Sequence, residues 1–394
     1  MSCFQLLSTA PDCSARRGVL ATAHGAVQTP AFMPVGTAGA VKGITPEQLE
    51  ATGAQIALGN TYHLLLRPGV EVVERLGGLH RLMAWDHPIL TDSGGYQVFS
   101  LNALTKIDDE GVEFASHVDG ARLHLNAEIA TEIQVRLGSD IIMCFDECTP
   151  FPVEQEKLRK AVTRTIEWAK RCKTAHTARV KPPADSPMSP IGPISRICPS
   201  SSLLFGIVQG GIDPELRRYC AEQIVAIGFD GYAIGGLSVG EGHDALVRTV
   251  RHTAPLLPAD APRYLMGVGM PVDILAAVQA GADMFDCVLP TRNGRNAFAF
   301  TRNGPLRLRN STHIDSTEPV ETGCDCYCCR RFTRGAIRHF FNCGEMLGPI
   351  LLSLHNLRFY QRLMADIRAH IERGDFAAWA TREIDRYAAL DSRP

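Results

Sequence analysis

Residues 283–295 read DMFDCVLPTRNGR. The pattern predicts an apolar strand that ends on Asp286 and breaks at Pro290 into a loop carrying Arg292 and Arg295. A carboxylate at a strand end can attack or stabilise a sugar carbon, and paired guanidinium groups can hold phosphates. The segment therefore favours chemistry on a sugar–phosphate substrate. The same residues would also fit an aspartate that only caps a loop beside two solvated arginines. Other segments of the sequence are needed to distinguish these two interpretations.

Two other apolar runs also end on an aspartate. Residues 88–92 (PILTD) lead into Gly94 and Gly95, and residues 140–146 (DIIMCFD) end on Asp146. Glycines allow positive φ and let the backbone approach a ligand closely, although a tight turn built around an aspartate uses the same residues. Three apolar strands that each end on an aspartate favour one shared site over three unrelated turns.

Short apolar runs alternate with amphipathic helical stretches from about Val41 to Leu289. Thr45 and Asp213 mark helix starts, because each precedes a proline at the first helical position. The runs cover residues 55–60, 89–92, 140–146, 203–209, 231–237, 264–268 and 282–288. Repeated strand–helix units imply a parallel sheet, and seven or eight of them fit an α/β fold of the (β/α)8 TIM-barrel type better than an open sheet. No G-x-G-x-x-G follows the first run, which argues against dinucleotide binding.

The carboxyl ends of barrel strands meet at one mouth, where barrel enzymes place their chemistry. The side chains and glycines expected to converge there are Asp92, Asp146, Gln209, Gly236, Met266 and Asp286. Two segments interrupt the alternation. Residues 99–125 carry turn signals and predict hairpins inserted between barrel units, whereas residues 181–202 are rich in Pro and Ser and predict a surface loop.

Composition restricts the partners and the compartment. The chain has 394 residues and a net charge of −2, so any nucleic-acid site must be a local basic patch. No stretch approaches the ~20 uninterrupted apolar residues of a membrane span, and residues 1–20 lack a signal-peptide pattern. Thirteen cysteines, an odd number and mostly single in apolar segments, favour free thiols and a cytoplasmic location.

A cysteine cluster near the C-terminus predicts a metal site. Cys324, Cys326 and Cys329 form a C-x-C-x2-C set, and His355 follows. Three thiolates and an imidazole suit a closed tetrahedral zinc site, which has no open position and is therefore expected to be structural. Cys328 is a spare thiol that could compete as a ligand.

This zinc would pin the loop after Asp286 to a C-terminal helix that starts near Gly348. We predict a barrel domain over residues 1–300, and a zinc-binding subdomain with barrel-closing helices over residues 301–394. The same region is basic, with arginines at positions 307, 309, 330, 331, 334 and 338. It predicts a platform for a phosphate backbone, with a solvated charged face as the alternative.

Several of these segments together resemble one enzyme family. They are TDSGGYQVFS (91–100), FGIVQGG (205–211), GGLSVGEG (235–242), LMGVG (265–269), residues 283–295 and the Cys/His set. Over nearly the whole chain they are similar to the bacterial-type tRNA-guanine transglycosylases. The resemblance implies a TIM barrel with a structural zinc subdomain and a homodimer. It also implies exchange of the wobble guanine, in tRNAs with G-U-N anticodons, for 7-aminomethyl-7-deazaguanine in queuosine biosynthesis.

The resemblance assigns two catalytic roles. Asp286 matches the nucleophile that attacks C1′ of the ribose and expels guanine, and Asp92 matches the general acid/base for the departing and incoming base. Two carboxylates can run such a double displacement with retained configuration, and a covalent ribosyl–aspartate would hold the tRNA while the bases change.

The resemblance also implies a base pocket and a tRNA contact. The pocket would consist of Asp146, Gln209, Gly236, Leu237, Tyr96, Met266, Cys148 and Val239. Tyr96 and Met266 would sandwich the purine, and Arg292 and Arg295 would lie near the anticodon-loop backbone. Cys148 and Val239 match the bulkier bacterial pocket, which predicts the aminomethyl base over queuine.

Three alternative interpretations of the function remain open. A non-catalytic tRNA-binding paralogue would be expected to lose the acids, but Asp92 and Asp286 both stand in intact motifs. A zinc-dependent barrel hydrolase would need metal ligands at the strand ends, where this chain has Asp, Gln and Gly instead. A queuine-using variant of the same enzyme is the third reading.

Overall fold

A small antiparallel sheet opens the chain in the computed structural model, which describes residues 3–97, 106–180 and 202–391. Its strands are β1 (Phe4–Thr9), β2 (Arg16–Thr22) and β3 (Gly25–Thr29). Phe4, Leu20 and Val27 pack against the apolar side chains that fill the interior of the neighbouring barrel. The sheet therefore contributes to the same core as the barrel interior.

Eight parallel strands form a closed barrel, with a second small sheet inserted after the third of them. The barrel begins with β4 (Ala31–Gly36), β5 (Ala57–Gly59) and β6 (Ile89–Thr91). The inserted antiparallel sheet has the strands β7 (Lys106–Ile107), β8 (Val112–Ala115) and β9 (Arg122–Leu125). The barrel continues with β10 (Ile141–Met143), β11 (Leu203–Val208), β12 (Gly231–Ile234), β13 (Arg263–Leu265) and β14 (Met284–Cys287), and β14 pairs with β4.

The TIM-barrel prediction is confirmed, but the sequence pattern did not reveal its first strand. β4 lies before residue 41, and it contains Pro34 and follows Pro30. Proline within an apolar run normally argues against a central strand. The inserted hairpins are present over residues 106–125, whereas residues 98–105 and the Pro-rich residues 181–201 lie outside the described part of the chain.

Helices surround the barrel. In chain order they are α1 (Pro46–Ala51), α2 (Thr61–Leu66), α3 (Val70–Arg75), α4 (Leu79–Met83), α5 (Ala127–Leu137), α6 (Gln155–Val180), α7 (Pro214–Ile227), α8 (His243–Thr253), α9 (Pro271–Gln279), α10 (Leu289–Arg295), α11 (Tyr327–Arg331), α12 (Arg334–Asn342), α13 (Leu347–Arg373) and α14 (Phe376–Asp391). Thr45 and Asp213 cap α1 and α7 with side-chain hydrogen bonds, as predicted. Within the described part of the chain, none of the helices has the length and hydropathy of a membrane-spanning segment.

The segment after Asp286 differs from the sequence prediction. Asp286 is the third of the four residues of β14, and the chain then enters α10 instead of a loop. Pro290 lies in the first turn of α10, where its missing N–H has no helical partner to lose. Arg292 and Arg295 are therefore held on a short helix that directly follows the nucleophile candidate.

The C-terminal region contains a second apolar cluster. Residues of the short strands β15 (Phe298–Ala299) and β16 (Leu306–Arg307), of α11 and of α12 pack there against Leu351 and Leu352 of α13. Further along α13, Leu357 and Tyr360 belong instead to the large cluster between the barrel and its helices. Since α13 contributes to both clusters, a domain boundary at residues 300/301 stays a prediction.

Candidate active site at the barrel mouth

Asp92 follows β6 directly, and the neighbouring strand end holds its carboxylate. Asn60, which follows β5, donates from Nδ2 to Oδ2 of Asp92 at 2.5 Å, and the Thr61 N–H donates to Oδ1 at 3.0 Å. Gln97 donates from Nε2 to Oδ2 at 3.2 Å. Asn60 is itself fixed, because its Oδ1 caps α2 by accepting from the His63 N–H. Both oxygens of Asp92 are therefore positioned by amide donors.

The protonation of Asp92 is set mainly by its removal from water. Burial raises its pKa to about 7, and the negative charge of Asp286 raises it further, while the hydrogen bonds of Thr61, Gly94 and Gln97 oppose the shift. A carboxyl group with a pKa near 7 exists in both forms at neutral pH. Asp92 is thus suited to give and take a proton.

The carboxylate of Asp286 is bound on one side. The Tyr264 hydroxyl donates to Oδ1 at 2.6 Å, and the Gly267 N–H donates to the same oxygen at 2.7 Å. Within the described residues, no hydrogen bond of the protein reaches Oδ2. Burial raises the pKa of Asp286, and the two donors act against that shift because they stabilise the ionised form. One oxygen is therefore anchored while the other can face a reacting atom.

Asp146 and Gln209 form a buried polar pair beside these acids. Asp146 is 5% exposed and Gln209 is 3% exposed. Gln209 donates from Nε2 to Oδ2 of Asp146 at 2.7 Å, and the Ser93 hydroxyl lies 3.5 Å from Oδ1. Burial raises the pKa of Asp146 to about 6, against the effect of both donors. A buried carboxylate needs hydrogen-bond donors, so it favours ligands that present N–H groups to it.

Two glycines make room for this pair. A Cβ on Gly236, whose φ is +65°, would lie 2.2 Å from Oε1 of Gln209. A Cβ on Gly95 would lie 2.8 Å from the Asp146 carbonyl oxygen. At Gly95 the close atom belongs to the backbone, and at Gly236 the φ of +65° disfavours any side chain and a Cβ would displace Gln209. Both positions therefore favour glycine.

The loop after β12 borders the same pocket. Leu237 is buried and Val239 is half-buried. Glu241 accepts from the N–H groups of Ser238 at 2.6 Å and Val239 at 3.0 Å, and Ser238 has a φ of +61°. Gly236, Val239 and Glu241 also line part of a cleft of about 290 Å³. The Glu241 carboxylate therefore stabilises a loop in which Ser238 has a positive φ, a backbone conformation that residues other than glycine rarely adopt.

Cys148 lies against the same loop. Burial raises the pKa of its thiol to about 12, and the nearby charge of Asp146 adds to the increase, while the Gly236 N–H lowers it by hydrogen bonding. The thiol is therefore neutral at physiological pH. Because the Gly236 N–H points toward this thiol, the N–H faces the side of the pocket on which Cys148 lies.

The remaining predicted base contacts lie on either side of the mouth. Tyr96 follows the two glycines after β6 and is 50% exposed. Met266 follows β13, is half-buried and packs against the barrel interior. A purine held between them stays a prediction.

Arg292 and Arg295 lie on α10, which follows β14, the strand that carries Asp286. Arg292 is exposed, and Arg295 is half-buried with a buried Nη1 that has no hydrogen-bond partner. A Cβ on Gly294 would lie 2.6 Å from Oγ of Ser353, so α10 is in close contact with α13. The orphan donor of Arg295 is available for an anionic ligand.

Three cysteines and a histidine form a second candidate centre, away from the acids. Sγ atoms of Cys324, Cys326 and Cys329 lie 3.8, 3.7 and 3.3 Å from Nδ1 of His355. A tetrahedral ion with ordinary Zn–S and Zn–N bonds would separate sulfur and nitrogen by roughly 3.6 Å. The four ligand atoms lie within 4.8 Å of one another and could hold a metal ion, and buried Cys328 is outside this set.

Contacts behind the ligands connect this centre to α10. Nε2 of His355 lies 2.8 Å from the Phe300 carbonyl oxygen, so that nitrogen carries the proton and Nδ1 keeps its lone pair for a metal. The next residue, Asn356, donates from Nδ2 to the carbonyl oxygen of Pro290 at 3.0 Å. A metal ion held by this set would therefore fix the part of α13 that supports α10.

Sequence reasoning missed several residues that shape the site. Asn60 ends the apolar run 55–60, so the strand-end signal that selected Asp92 applies to it as well. Tyr264 and Glu241 had no such signal, because a hydroxyl inside a strand and a carboxylate in a loop are common. Only the folded chain shows which groups they bind.

Comparisons with known proteins agree over nearly the full length of the chain. The family model described as Queuine tRNA-ribosyltransferase matches residues 12–389. The protein named Queuine tRNA-ribosyltransferase from Nitrosomonas europaea is 56% identical over 369 residues, which is 94% of each chain. Proteins of the same name from Aromatoleum aromaticum and Acinetobacter baylyi are 53% and 49% identical, and the matches cover 96% of this chain and 97% and 94% of theirs.

Proposed function

The chain belongs to the queuine tRNA-ribosyltransferase family, and we propose that it exchanges the wobble guanine of tRNAs with G-U-N anticodons for 7-aminomethyl-7-deazaguanine. It is thus a pentosyltransferase of the tRNA-guanine transglycosylase type. The exchange proceeds through a covalent ribosyl–aspartate intermediate and serves queuosine biosynthesis. Our proposal locates this activity in the cytoplasm.

One observation carries the mechanism: the two acids at the mouth are held differently. Asp286 has one anchored oxygen and one without a donor from the described protein residues, as a nucleophile needs. Asp92 is held on both oxygens and has a pKa raised to about 7 by burial, as a proton shuttle needs. Pairs of acids whose surroundings separate their roles are typical of glycosyl transfer.

In the first step, Oδ2 of Asp286 attacks C1′ of the ribose, the C1′–N9 bond breaks, and protonated Asp92 gives its proton to the departing guanine. The charge of Asp286 is lost when the C1′–O bond forms. That charge had raised the pKa of Asp92, so its loss makes Asp92 a stronger acid as the base leaves. Nucleophilic attack and protonation of the leaving group thus assist each other.

The second step repeats these events in reverse with the new base. Ionised Asp92 takes the N9 proton of the incoming 7-deazaguanine, the base attacks C1′, and Asp286 departs as a carboxylate. Tyr264 and Gly267 stabilise that carboxylate through Oδ1. Two inversions at C1′ restore the original configuration.

Asp146, Gln209 and the Gly236 backbone read the edge of the base in this proposal. Asp146 is buried and accepts from N–H groups of the purine, while Gln209 holds its second oxygen. A base without those N–H groups would leave a buried carboxylate unpaired, which is a strong penalty. Stacking against Tyr96 adds about 1–3 kcal/mol to binding.

The C7 substituent points toward Cys148 and Val239 in this proposal. Both side chains are larger than glycine and are half-buried at the pocket wall. They favour the aminomethyl group over the bulkier substituent of queuine. A queuine-using enzyme is the alternative that the base competition below decides.

The tRNA backbone is proposed to bind beside α10. Arg292 is exposed, and the orphan Nη1 of Arg295 can donate to a phosphate. The guanine has to leave the anticodon stack to enter the pocket. Contacts of Arg292 and Arg295 with the phosphates on either side of this nucleotide would hold the anticodon loop in place while the base moves.

Zinc is the metal we propose for Cys324, Cys326, Cys329 and His355. Four protein ligands complete a tetrahedron, so the ion supports α13 and α10 and takes no part in the chemistry. We also propose a homodimer, which sedimentation at several protein concentrations would test.

The decisive experiment is incorporation of radiolabelled guanine into an unmodified tRNA with a G-U-N anticodon. A tRNA with adenine at the wobble position is the control. Label in the first tRNA only supports base exchange, and competition between the aminomethyl base and queuine then identifies the preferred substrate. A folded, zinc-loaded protein that binds the tRNA but incorporates no label would instead be a non-catalytic paralogue.

A further inference from the structure

A buried arginine lies behind the base pocket. Arg217, in the first turns of α7, is fully buried, with 0% exposure. Its guanidinium donates to the carbonyl oxygens of Val208 at 2.9 Å, Gly211 at 2.8 Å and Gly235 at 2.8 Å. No carboxylate of the described residues forms an ion pair with it. Burial lowers its pKa to about 10, so it remains a cation at neutral pH.

The contact with Gly235 acts on the peptide that precedes Gly236. A trans peptide is planar, so its C=O and N–H point to opposite sides. Arg217 binds the C=O of Gly235, and the N–H of the same peptide unit, that of Gly236, faces the Cys148 thiol on the pocket side. A cation on the carbonyl polarises the peptide and makes this N–H a stronger donor.

The other two contacts enclose Gln209. Val208 precedes it, and Gly211 follows it by two residues, so the guanidinium holds the backbone on both sides. The Val208 carbonyl also accepts from the Gly235 N–H at 3.0 Å. One side chain thereby locks together the ends of β11 and β12, which carry two proposed base-reading groups.

A buried cation without an ion-paired carboxylate is costly even though the charge of Glu241 favours it, and an apolar side chain could fill the same volume. We propose that Arg217 is a positioning residue for base recognition. It sets the direction and donor strength of the Gly236 N–H and the position of the Gln209 amide. This inference rests on the base-exchange function proposed above.

Arg263 offers a matched control. It is 7% exposed, has a pKa lowered to about 10 by burial, and donates from Nη2 to the Leu257 carbonyl oxygen at 2.7 Å. It starts β13, and therefore lies at the opposite end of the barrel from the mouth. Substituting it removes a buried guanidinium–carbonyl contact without touching the pocket.

The test compares Arg217→Met and Arg217→Lys with Arg263→Met and Arg263→Lys. Thermal unfolding, the KM for guanine, the KM for tRNA and kcat are measured for each. Guanine binding by calorimetry provides an independent readout. Weakening one buried hydrogen bond to the base costs roughly 10-fold to 100-fold in binding, so Arg217→Met should raise the guanine KM by about that factor with the tRNA KM unchanged. Arg217→Lys keeps the charge but cannot span three carbonyls, and should give an intermediate increase.

The proposal is overturned if the Arg217 variants raise the guanine KM no more than the Arg263 variants at equal loss of thermal stability. If Arg217→Met does not fold, Arg217→Lys against Arg263→Lys decides in the same way. Failure of the exchange function would be recognised separately, because wild-type protein would then incorporate no guanine.

Discussion

Asparagine in place of Asp92 should make the folded chain more stable at high pH while it abolishes base exchange. Burial raises the Asp92 pKa from 3.8 to about 7. Between those two pH values the unfolded chain has already lost this proton and the folded chain keeps it, so stability falls as pH rises. One pKa unit corresponds to about 1.4 kcal/mol. Ionised Asp92 therefore costs the wild type up to about 4 kcal/mol above pH 7.

Asparagine escapes this cost but brings another. Asn60 and Gln97 both donate to Oδ2 of Asp92, and a new NH2 group at that position would face two donors. Asn60 cannot turn over freely, because its Oδ1 caps α2. Unmade hydrogen bonds of this kind cost about 1–3 kcal/mol, which leaves a net gain of about 1–3 kcal/mol at pH 8. The cost of placing an NH2 group opposite two donors is independent of pH. The gain from removing an ionisable group at position 92 increases with pH.

The assay is urea unfolding of zinc-loaded wild type and Asp92→Asn at pH 5, 6, 7 and 8. The stability difference should move in favour of the variant by about 2–3 kcal/mol between pH 5 and pH 8. Asp119→Asn is the control without pH dependence. Hydrogen bonding from Ser116 lowers the pKa of that exposed carboxyl, so it is ionised in both the folded and the unfolded chain throughout this pH range. A difference that stays flat with pH would refute the raised pKa, and normal turnover by Asp92→Asn would refute its role in proton transfer.

Four further predictions test the remaining roles. Asp286→Ala should abolish the SDS-stable protein–tRNA adduct and base exchange while tRNA binding in a filter assay stays near wild type; an adduct of normal yield would reject the nucleophile. Tyr264→Phe removes a donor that favours ionised Asp286, so the acid limb of kcat/KM should move to higher pH, and an unmoved limb would contradict the assignment. Gly236→Ala would drive a Cβ into Gln209 and should raise the guanine KM at least 10-fold, on the order expected for a displaced binding group, with tRNA affinity as the internal control. Chelation of the metal, or His355→Ala, should lower the melting temperature, and activity should fall only as the protein unfolds; loss of activity in a fully folded, metal-free protein would point to catalytic zinc.

The local patterns of the sequence predicted much of the architecture. Repeated strand–helix units, helix caps at Thr45 and Asp213, and the spacing of Cys324, Cys326 and Cys329 depend on neighbouring residues, so they can be recognised without the fold. The same applies to acids at strand ends, since every parallel strand of a barrel points its carboxyl end to one mouth. The prolines in and before β4 kept this strand from being predicted. The segment after Asp286 was predicted to be a loop because of Pro290, whereas this proline lies in the first turn of a helix.

Local patterns in the sequence were therefore enough to predict the type of fold, the residues that could hold a metal ion, and the acids that meet at the mouth. How each acid is held becomes visible only in the folded chain, because the residues that bind it come from other strands. Asn60 reaches Asp92 from β5, and Tyr264 reaches Asp286 from β13. Arg217 joins the ends of β11 and β12 through three carbonyl oxygens, which every residue possesses. A contact to backbone carbonyls leaves no mark on the sequence of its acceptors, so only packing reveals it.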